Sequence, residues 1–92
     1  DLSEASCKGA NFQQANLAGS LFVRTDFREA NFTDANLMGA ILQKSQLGGA
    51  CFRGTTLFRA DLSQAFTSET TELDGAFTKR IKTLPKRDGE IV

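Results

Sequence analysis

A period of five residues runs through positions 1–65 of this 92-residue chain. Every fifth position carries a large apolar side chain or, once, cysteine. These positions are Leu2, Cys7, Phe12, Leu17, Phe22, Phe27, Phe32, Leu37, Leu42, Leu47, Phe52, Leu57 and Leu62. We call each of them a centre and number its neighbours from −2 to +2. A period of five fits neither a helix near 3.6 nor a strand of 2, so the chain must turn after every quintet.

The other positions of the quintet also repeat. From Ala5 to Ala65 the −2 position is Ala, Ser or Thr, the −1 position is often Asn or Asp, and the +2 position is often Gly. We expect the small residue to point inward beside the centre. We expect the Asn and Asp side chains to bond the turn backbone, because they recur too regularly to form one site.

Four of the quintets resemble the motif of the pentapeptide-repeat family: Ala-Asn-Phe-Gln-Gln at 10–14, Ala-Asn-Leu-Ala-Gly at 15–19, Ala-Asn-Phe-Thr-Asp at 30–34 and Ala-Asp-Leu-Ser-Gln at 60–64. The resemblance covers residues 1–65. It implies an all-β fold, a right-handed quadrilateral β-helix with four quintets per coil. Residues 1–65 would then form about three coils, with every centre pointing inward.

Four quintets per coil would stack residues that lie twenty apart, with about 4.8 Å between coils. We number the four faces by the columns of centres that this register predicts. Face 1 holds Leu2, Phe22, Leu42 and Leu62; face 2 holds Cys7, Phe27 and Leu47; face 3 holds Phe12, Phe32 and Phe52; face 4 holds Leu17, Leu37 and Leu57. Faces 3 and 4 come out as pure Phe and pure Leu, which supports the register independently of the family.

The five-residue frame is expected to break at Thr67. We predict that residues 66–84 form a C-terminal cap, a loop plus a short helix or an irregular coil, because an open solenoid end exposes strand edges and core. Its apolar residues Phe66, Leu73, Phe77, Ile81 and Leu84 would cover the last coil. Residues 85–92 are predicted to be a flexible tail. The first coil has no such cap, so we expect further repeats or another domain to precede Asp1.

The composition argues against an enzyme. The chain has no His, and Cys7 is predicted to be buried, so a nucleophile with an adjacent base is not available. Zinc sites need clustered Cys and His, and each Gly of the repeat belongs to a quintet rather than to a phosphate-binding loop. We therefore predict no catalytic, cofactor-binding or metal-binding residues and no small-molecule substrate. The net charge of zero predicts that the chain does not bind nucleic acid, and the lack of a long apolar run predicts that it has no membrane partner.

The two cysteines are predicted to remain unpaired. Cys7 is a centre and should point inward, whereas Cys51 precedes a centre and should point outward about two coils away. That separation, about 10 Å along the axis, exceeds the roughly 7 Å between Cα atoms that a disulfide spans. Unpaired cysteines favour a cytoplasmic location in a bacterium.

One corner of the predicted coil is apolar on its outside. Its residues form a candidate protein-interaction strip: Ala18, Leu21, Val23, Met38, Ile41 and Phe58. Exposed apolar patches often mark interaction sites. Two other interpretations stay open, that the chain's own C-terminal segment covers the strip, or that these are scattered surface residues.

The sequence thus predicts a non-enzymatic structural or protein-interaction module of a larger bacterial protein, which binds a protein partner or itself. One alternative is an adaptor or effector-loading role in type VI secretion, because the tail Leu73-Asp74-Gly75-Ala76-Phe77 through Lys82-Thr83-Leu84-Pro85-Lys86 resembles tails of pentapeptide proteins associated with that system. Another is the DNA mimicry by which some family members bind and protect gyrase. Residues 1–65 carry six acidic and six basic residues, a balance that does not imitate a phosphate backbone.

Overall fold

The structure is a computed structural model that describes residues 1–73, 75–76 and 86–87. Successive coils pair through parallel bridges between residues twenty apart, such as Asp26 with Gln46 and Gln46 with Phe66. Most of these pairings involve a single residue on each coil. The described residues therefore contain only two strands longer than one residue, β1 (Phe66–Thr67) and β2 (Lys86–Arg87), which pair in parallel. The bridges confirm the twenty-residue register and hence four quintets per coil.

Backbone hydrogen bonds tie each quintet to the coil above it. The N–H of the centre Phe32 donates to the carbonyl of Cys51 at 2.8 Å, and the +2 N–H of Asp34 donates to the carbonyl of Arg53 at 2.9 Å. The −1 N–H bonds the preceding coil, as Cys51 does to Ala30 at 2.9 Å. Buried backbone groups need such partners, and here they find them between coils rather than within a strand or helix.

Each face ends in a tight turn at the +2 residue. The N–H of Ala35 donates to the carbonyl of Phe32, three residues earlier, and the residue between them at +2, Asp34, has φ +60°. All thirteen +2 residues have positive φ, the pattern of a type II turn. Five are glycine; the other eight are Glu4, Gln14, Arg24, Glu29, Asp34, Lys44, Arg59 and Gln64. The cross-coil hydrogen bonds therefore hold ordinary residues in a left-handed conformation that costs them of order 1–3 kcal/mol.

The Asn and Asp side chains at −1 cap these turns, as predicted. In each of the seven cases a side-chain oxygen accepts a hydrogen bond from the backbone N–H two residues later. The pair Asn31 and Thr33 is typical, with 3.0 Å between Asn31 Oδ1 and the Thr33 nitrogen. The recurrence of Asn and Asp is thus explained by the turn and not by a site.

The core consists of the stacked centres and the small −2 residues. On face 3 the Phe32 ring stacks on Phe12 and Phe52, with ring centroids 5.1 and 4.9 Å apart. The centres from Phe22 to Leu62 are fully buried, whereas Leu2, Cys7, Phe12 and Leu17 of the first coil are only partly covered.

Buried Ser and Thr at −2 have a specific partner. The hydroxyl of Thr55 donates to the carbonyl of Phe32 at 2.6 Å, and Ser45 donates in the same way to Phe22 at 2.5 Å. Each bond joins one coil to the centre of the preceding coil. These bonds explain how a hydroxyl is accommodated inside the tube without an unsatisfied polar group.

The C-terminal segment differs from the expectation. The frame does not break at Thr67, which is 2% exposed and occupies a centre position on face 2. One extra residue follows it, because the bridge separation changes from twenty residues in Gln46↔Phe66 to twenty-one in Cys51↔Glu72. A turn that begins at Ser68, whose N–H donates to Thr71 Oγ1 at 3.0 Å, absorbs the insertion.

Of the predicted capping residues, Phe66 does not cover the last coil. It lies at a −1 position, which points outward, and is 57% exposed. Leu73 and Ala76 are partly buried and pack against the core. Phe77, Ile81 and Leu84 lie outside the described residues. At Lys86–Arg87, where the sequence predicts a flexible tail, the backbone pairs with β1 as a strand.

Candidate interaction surfaces

The predicted strip lies on both sides of the corner between faces 4 and 1. Ala18, Met38 and Phe58 stack on one side, because the Gly19 N–H donates to the Met38 carbonyl and the Gly39 N–H donates to the Phe58 carbonyl, both at 2.9 Å. On the other side Leu21 and Ile41 form a bridge. The structure thus places five strip residues along one edge, with Val23 further along face 1.

The strip is exposed to different degrees. Met38 is 44% exposed and Leu21 is 38% exposed, and Ala18 is also exposed. Val23, Ile41 and Phe58 are half-buried, and the Arg59 guanidinium carbon lies 5.2 Å from the centre of the Phe58 ring. The two large exposed side chains therefore belong to successive coils on opposite sides of the corner.

The described part of the C-terminal segment does not cross this strip. Phe66–Thr67 pairs along face 2 and Glu72 pairs with Cys51 on face 3. Both faces lie on the far side of the coil from the corner between faces 4 and 1. The alternative that the chain's own C-terminal segment covers the strip also involves residues 77–85, which lie outside the described residues.

A second surface, which we call the basic groove, lies at the corner between faces 1 and 2. It has a volume of about 540 Å³ and is lined by Arg24, Arg28, Lys44, Gln46, Gly48, Gln64, Phe66, Thr67 and Ser68. This groove was not predicted from the sequence. Sorting the outward +2 and −1 residues at a spacing of twenty would have shown it, because Arg24, Lys44 and Gln64 form one column and Asp26, Gln46 and Phe66 form the next.

One of the lining residues, Arg28, forms an ion pair with Asp26, which does not itself line the groove. Arg28 donates from Nε to Asp26 Oδ1 at 2.9 Å and from the terminal nitrogen to Oδ2 at 2.8 Å. These side-chain hydrogen bonds, helped by the turn N–H and the nearby Lys8 charge and opposed by partial burial, lower the pKa of Asp26 to about 2. The same bonds raise the pKa of the Arg28 guanidinium.

The pair predicts an acid titration that NMR can follow. Replacing Arg28 with glutamine should raise the pKa of the Asp26 carboxyl toward its usual value of about 3.9, because the charge-assisted bonds are lost. Since the folded-state pKa is depressed, the pair stabilises the fold above about pH 4 and loses this contribution as the pH falls toward 2. Lys8→Gln is the control and should move the pKa much less. An Asp26 pKa near 4 in the unmodified chain would contradict the geometry.

Both cysteines are free. Cys7 is a half-buried centre, and burial, with a smaller effect of the Asp26 charge, raises the pKa of its thiol. Cys51 Sγ lies 3.4 Å from Thr33 Oγ1 and 3.6 Å from Glu72 Oε2.

Within residues 1–73, 75–76 and 86–87, no group of three or more Cys, His, Asp and Glu side chains is arranged to hold a metal ion. Over the same residues, no helix has the length and apolar character needed to cross a bilayer.

Comparison with known families decides the relationship. The family model for pentapeptide repeats matches eight copies of the repeat, over residues 5–43 and 20–58. The chain belongs to the pentapeptide-repeat family. Pentapeptide-repeat proteins fold as right-handed β-helices and are generally non-enzymatic structural proteins. In this chain, that fold is seen in the inward-pointing centres and in the bridges between residues twenty apart.

Two solved pentapeptide-repeat proteins are similar to this chain. Rfr23 from the cyanobacterium Cyanothece 51142 is 25% identical over 78% of this chain and 59% of its own, with a TM-score of 0.53. HetL from the cyanobacterium Nostoc sp. strain PCC 7120, which is involved in heterocyst differentiation regulation, is 26% identical over 99% of this chain and 42% of its own, with a TM-score of 0.46. The chain thus spans about half the length of these two proteins. No curated protein sequence matches it.

Proposed function

We propose that this pentapeptide-repeat protein is a non-enzymatic protein-interaction module of a larger bacterial protein. The module is a right-handed β-helix of about three coils with a short C-terminal cap, and its apolar strip binds another protein or a second copy. The observation that carries this proposal is the exposure of Met38 and Leu21 along one corner. The corner between faces 2 and 3 is more polar, because its equivalent +1 and −1 positions hold Lys8, Arg28, Gly48, Asn11, Asn31 and Cys51.

The fold suits this surface to binding. The cross-coil hydrogen bonds set the strip residues on a fixed backbone, so that binding has to order few groups other than side chains. Met38 is unbranched and adapts to irregular partner surfaces. Burying its exposed area and that of Leu21 would contribute about 25 cal/mol per Å² of apolar surface. A repeat protein that lacks catalytic groups can thus still recognise a partner.

The first partner to test is a second copy of the chain. We expect the mass measured by light scattering to rise with concentration, and Met38→Glu to reduce this rise, because a charge would be placed in the apolar contact. Gln13→Glu is the matched control, because Gln13 occupies the same +1 position on face 3. Circular dichroism would confirm that both variants stay folded. Equal association of Met38→Glu and the unmodified chain would mean that the strip is not the contact.

The two narrower alternatives, DNA mimicry and a secretion adaptor, are supported to different extents. DNA mimicry needs an acidic surface, whereas the basic groove is lined by three cationic side chains and no carboxylate. A secretion adaptor is a special case of the proposed module, since it also needs a protein-binding surface. It is supported only by the tail resemblance, of which Asp74, Phe77 and residues 82–85 lie outside the described residues.

A further inference from the structure

We propose that the basic groove binds an extended acidic segment of another protein, one that carries a carboxylate and, two residues further along, a large apolar side chain. This site lies on a different corner from the strip and does not depend on it. The occupant is inferred from the order of charged and aromatic groups along the axis of the coil.

The positive charge is concentrated at the first two levels of the groove. Arg24 and Lys44 occupy the same +2 position in successive coils, and both are exposed. Arg28 completes the set, but its guanidinium already pairs with Asp26. Glu29 lies beside Gly49 and does not line the groove. Two cations, about 4.8 Å apart along the axis, are therefore available to an anionic ligand.

Phe66 provides a different kind of contact at the far end. Among the residues that the structure describes, it is the most exposed of the large apolar side chains, and its backbone is fixed by the β1–β2 pairing. Its column places it two coils beyond Asp26, a distance of about 10 Å. An extended peptide advances about 3.3 Å per residue and its alternate side chains point to the same face, so residues i and i+2 reach one surface about 6.6 Å apart. Phe66 lies about 7 Å beyond the midpoint between the levels of Arg24 and Lys44, so a carboxylate held there would set the apolar side chain two residues later against Phe66.

A protein segment fits these features better than a nucleic acid. Nucleic-acid sites neutralise many phosphates with a large basic surface. This groove offers three cations on a repeat region with balanced charge, and one exposed aromatic ring. In a protein segment, a carboxylate can contact the cations while an apolar side chain that follows it packs against the aromatic ring. Binding should weaken as salt rises, because the charges are solvent-exposed.

The probe is the blocked peptide Ser-Ser-Glu-Ser-Phe-Ser, and its binding to the full chain is measured by ¹⁵N NMR titration. We expect shifts at the groove amides and not along the strip. Arg24→Gln with Lys44→Gln should weaken binding about tenfold. Phe66→Gln should weaken it about fivefold. Glutamine suits these positions, because Gln64 stands at the same +2 position with φ +59° and Gln46 stands one coil before Phe66.

The control variant is Arg59→Gln. It removes one cation from a +2 residue with φ +60° at another corner and should change the affinity less than about twofold. The proposal is overturned if the peptide with Gln in place of Glu binds equally, or if a DNA oligomer binds the groove more tightly than the peptide. It is also overturned if Asp88→Asn with Glu90→Gln raises the peptide affinity about tenfold, because the chain's own tail would then be the occupant.

Discussion

Replacing Phe32 with alanine is expected to lower the free energy of unfolding by about 3–5 kcal/mol. The Phe32 ring is fully buried between Phe12 and Phe52 and makes an edge contact with Phe27 at 5.1 Å between ring centroids. Its removal would leave a cavity that the hydrogen-bonded coils cannot close. Urea unfolding followed by circular dichroism would measure the loss.

The matched control is Phe66→Ala. Phe66 is the same residue type, but its −1 position exposes it, so the substitution should change the free energy of unfolding by less than about 0.5 kcal/mol. Similar losses at the two sites would mean that the centre and −1 positions are not inside and outside as described.

Replacing Ala50 with leucine should lower the free energy of unfolding by about 1–3 kcal/mol. Ala50 is fully buried at a −2 position, its N–H donates to Leu47 and its carbonyl accepts from Glu72. With both backbone groups bonded, the chain has little freedom to move outward and make room for three more carbon atoms.

Ala18→Leu is the control for this substitution, because Ala18 is an exposed +1 residue. The same increase in side-chain volume should there change the free energy of unfolding by less than about 0.5 kcal/mol. If Ala50→Leu were equally neutral, the small −2 residues would not be needed to make space for the centres.

Most of the coil could be predicted from the sequence, because each quintet solves the same packing problem. The period located the centres, and the Phe and Leu columns gave the twenty-residue stacking that the bridges confirm. The role of Asn and Asp at −1 also followed from local chemistry. In each case the signal repeats, so that thirteen quintets support one interpretation.

The features that were missed do not repeat. Thr67 is a polar residue at a centre, and no rule of local hydrophobicity distinguishes it from the start of a loop. Its hydrogen-bonded coil and the one-residue insertion after it keep Leu73 in contact with the core. The exposure of Phe66 follows from this continued frame. Arg24 and Lys44 appeared as ordinary polar positions until the register placed them one above the other.

The central claim, that the strip contacts protein, is best tested by photocrosslinking from Met38. A photoreactive amino acid introduced by stop-codon suppression at position 38 places the reactive group there alone. The same amino acid in place of Gln13 moves it to a polar face. In the cells from which the protein comes, we predict crosslinks to one defined protein or to a second copy from position 38, and few from position 13. Equal crosslinking from both positions, or none from position 38, would contradict the claim.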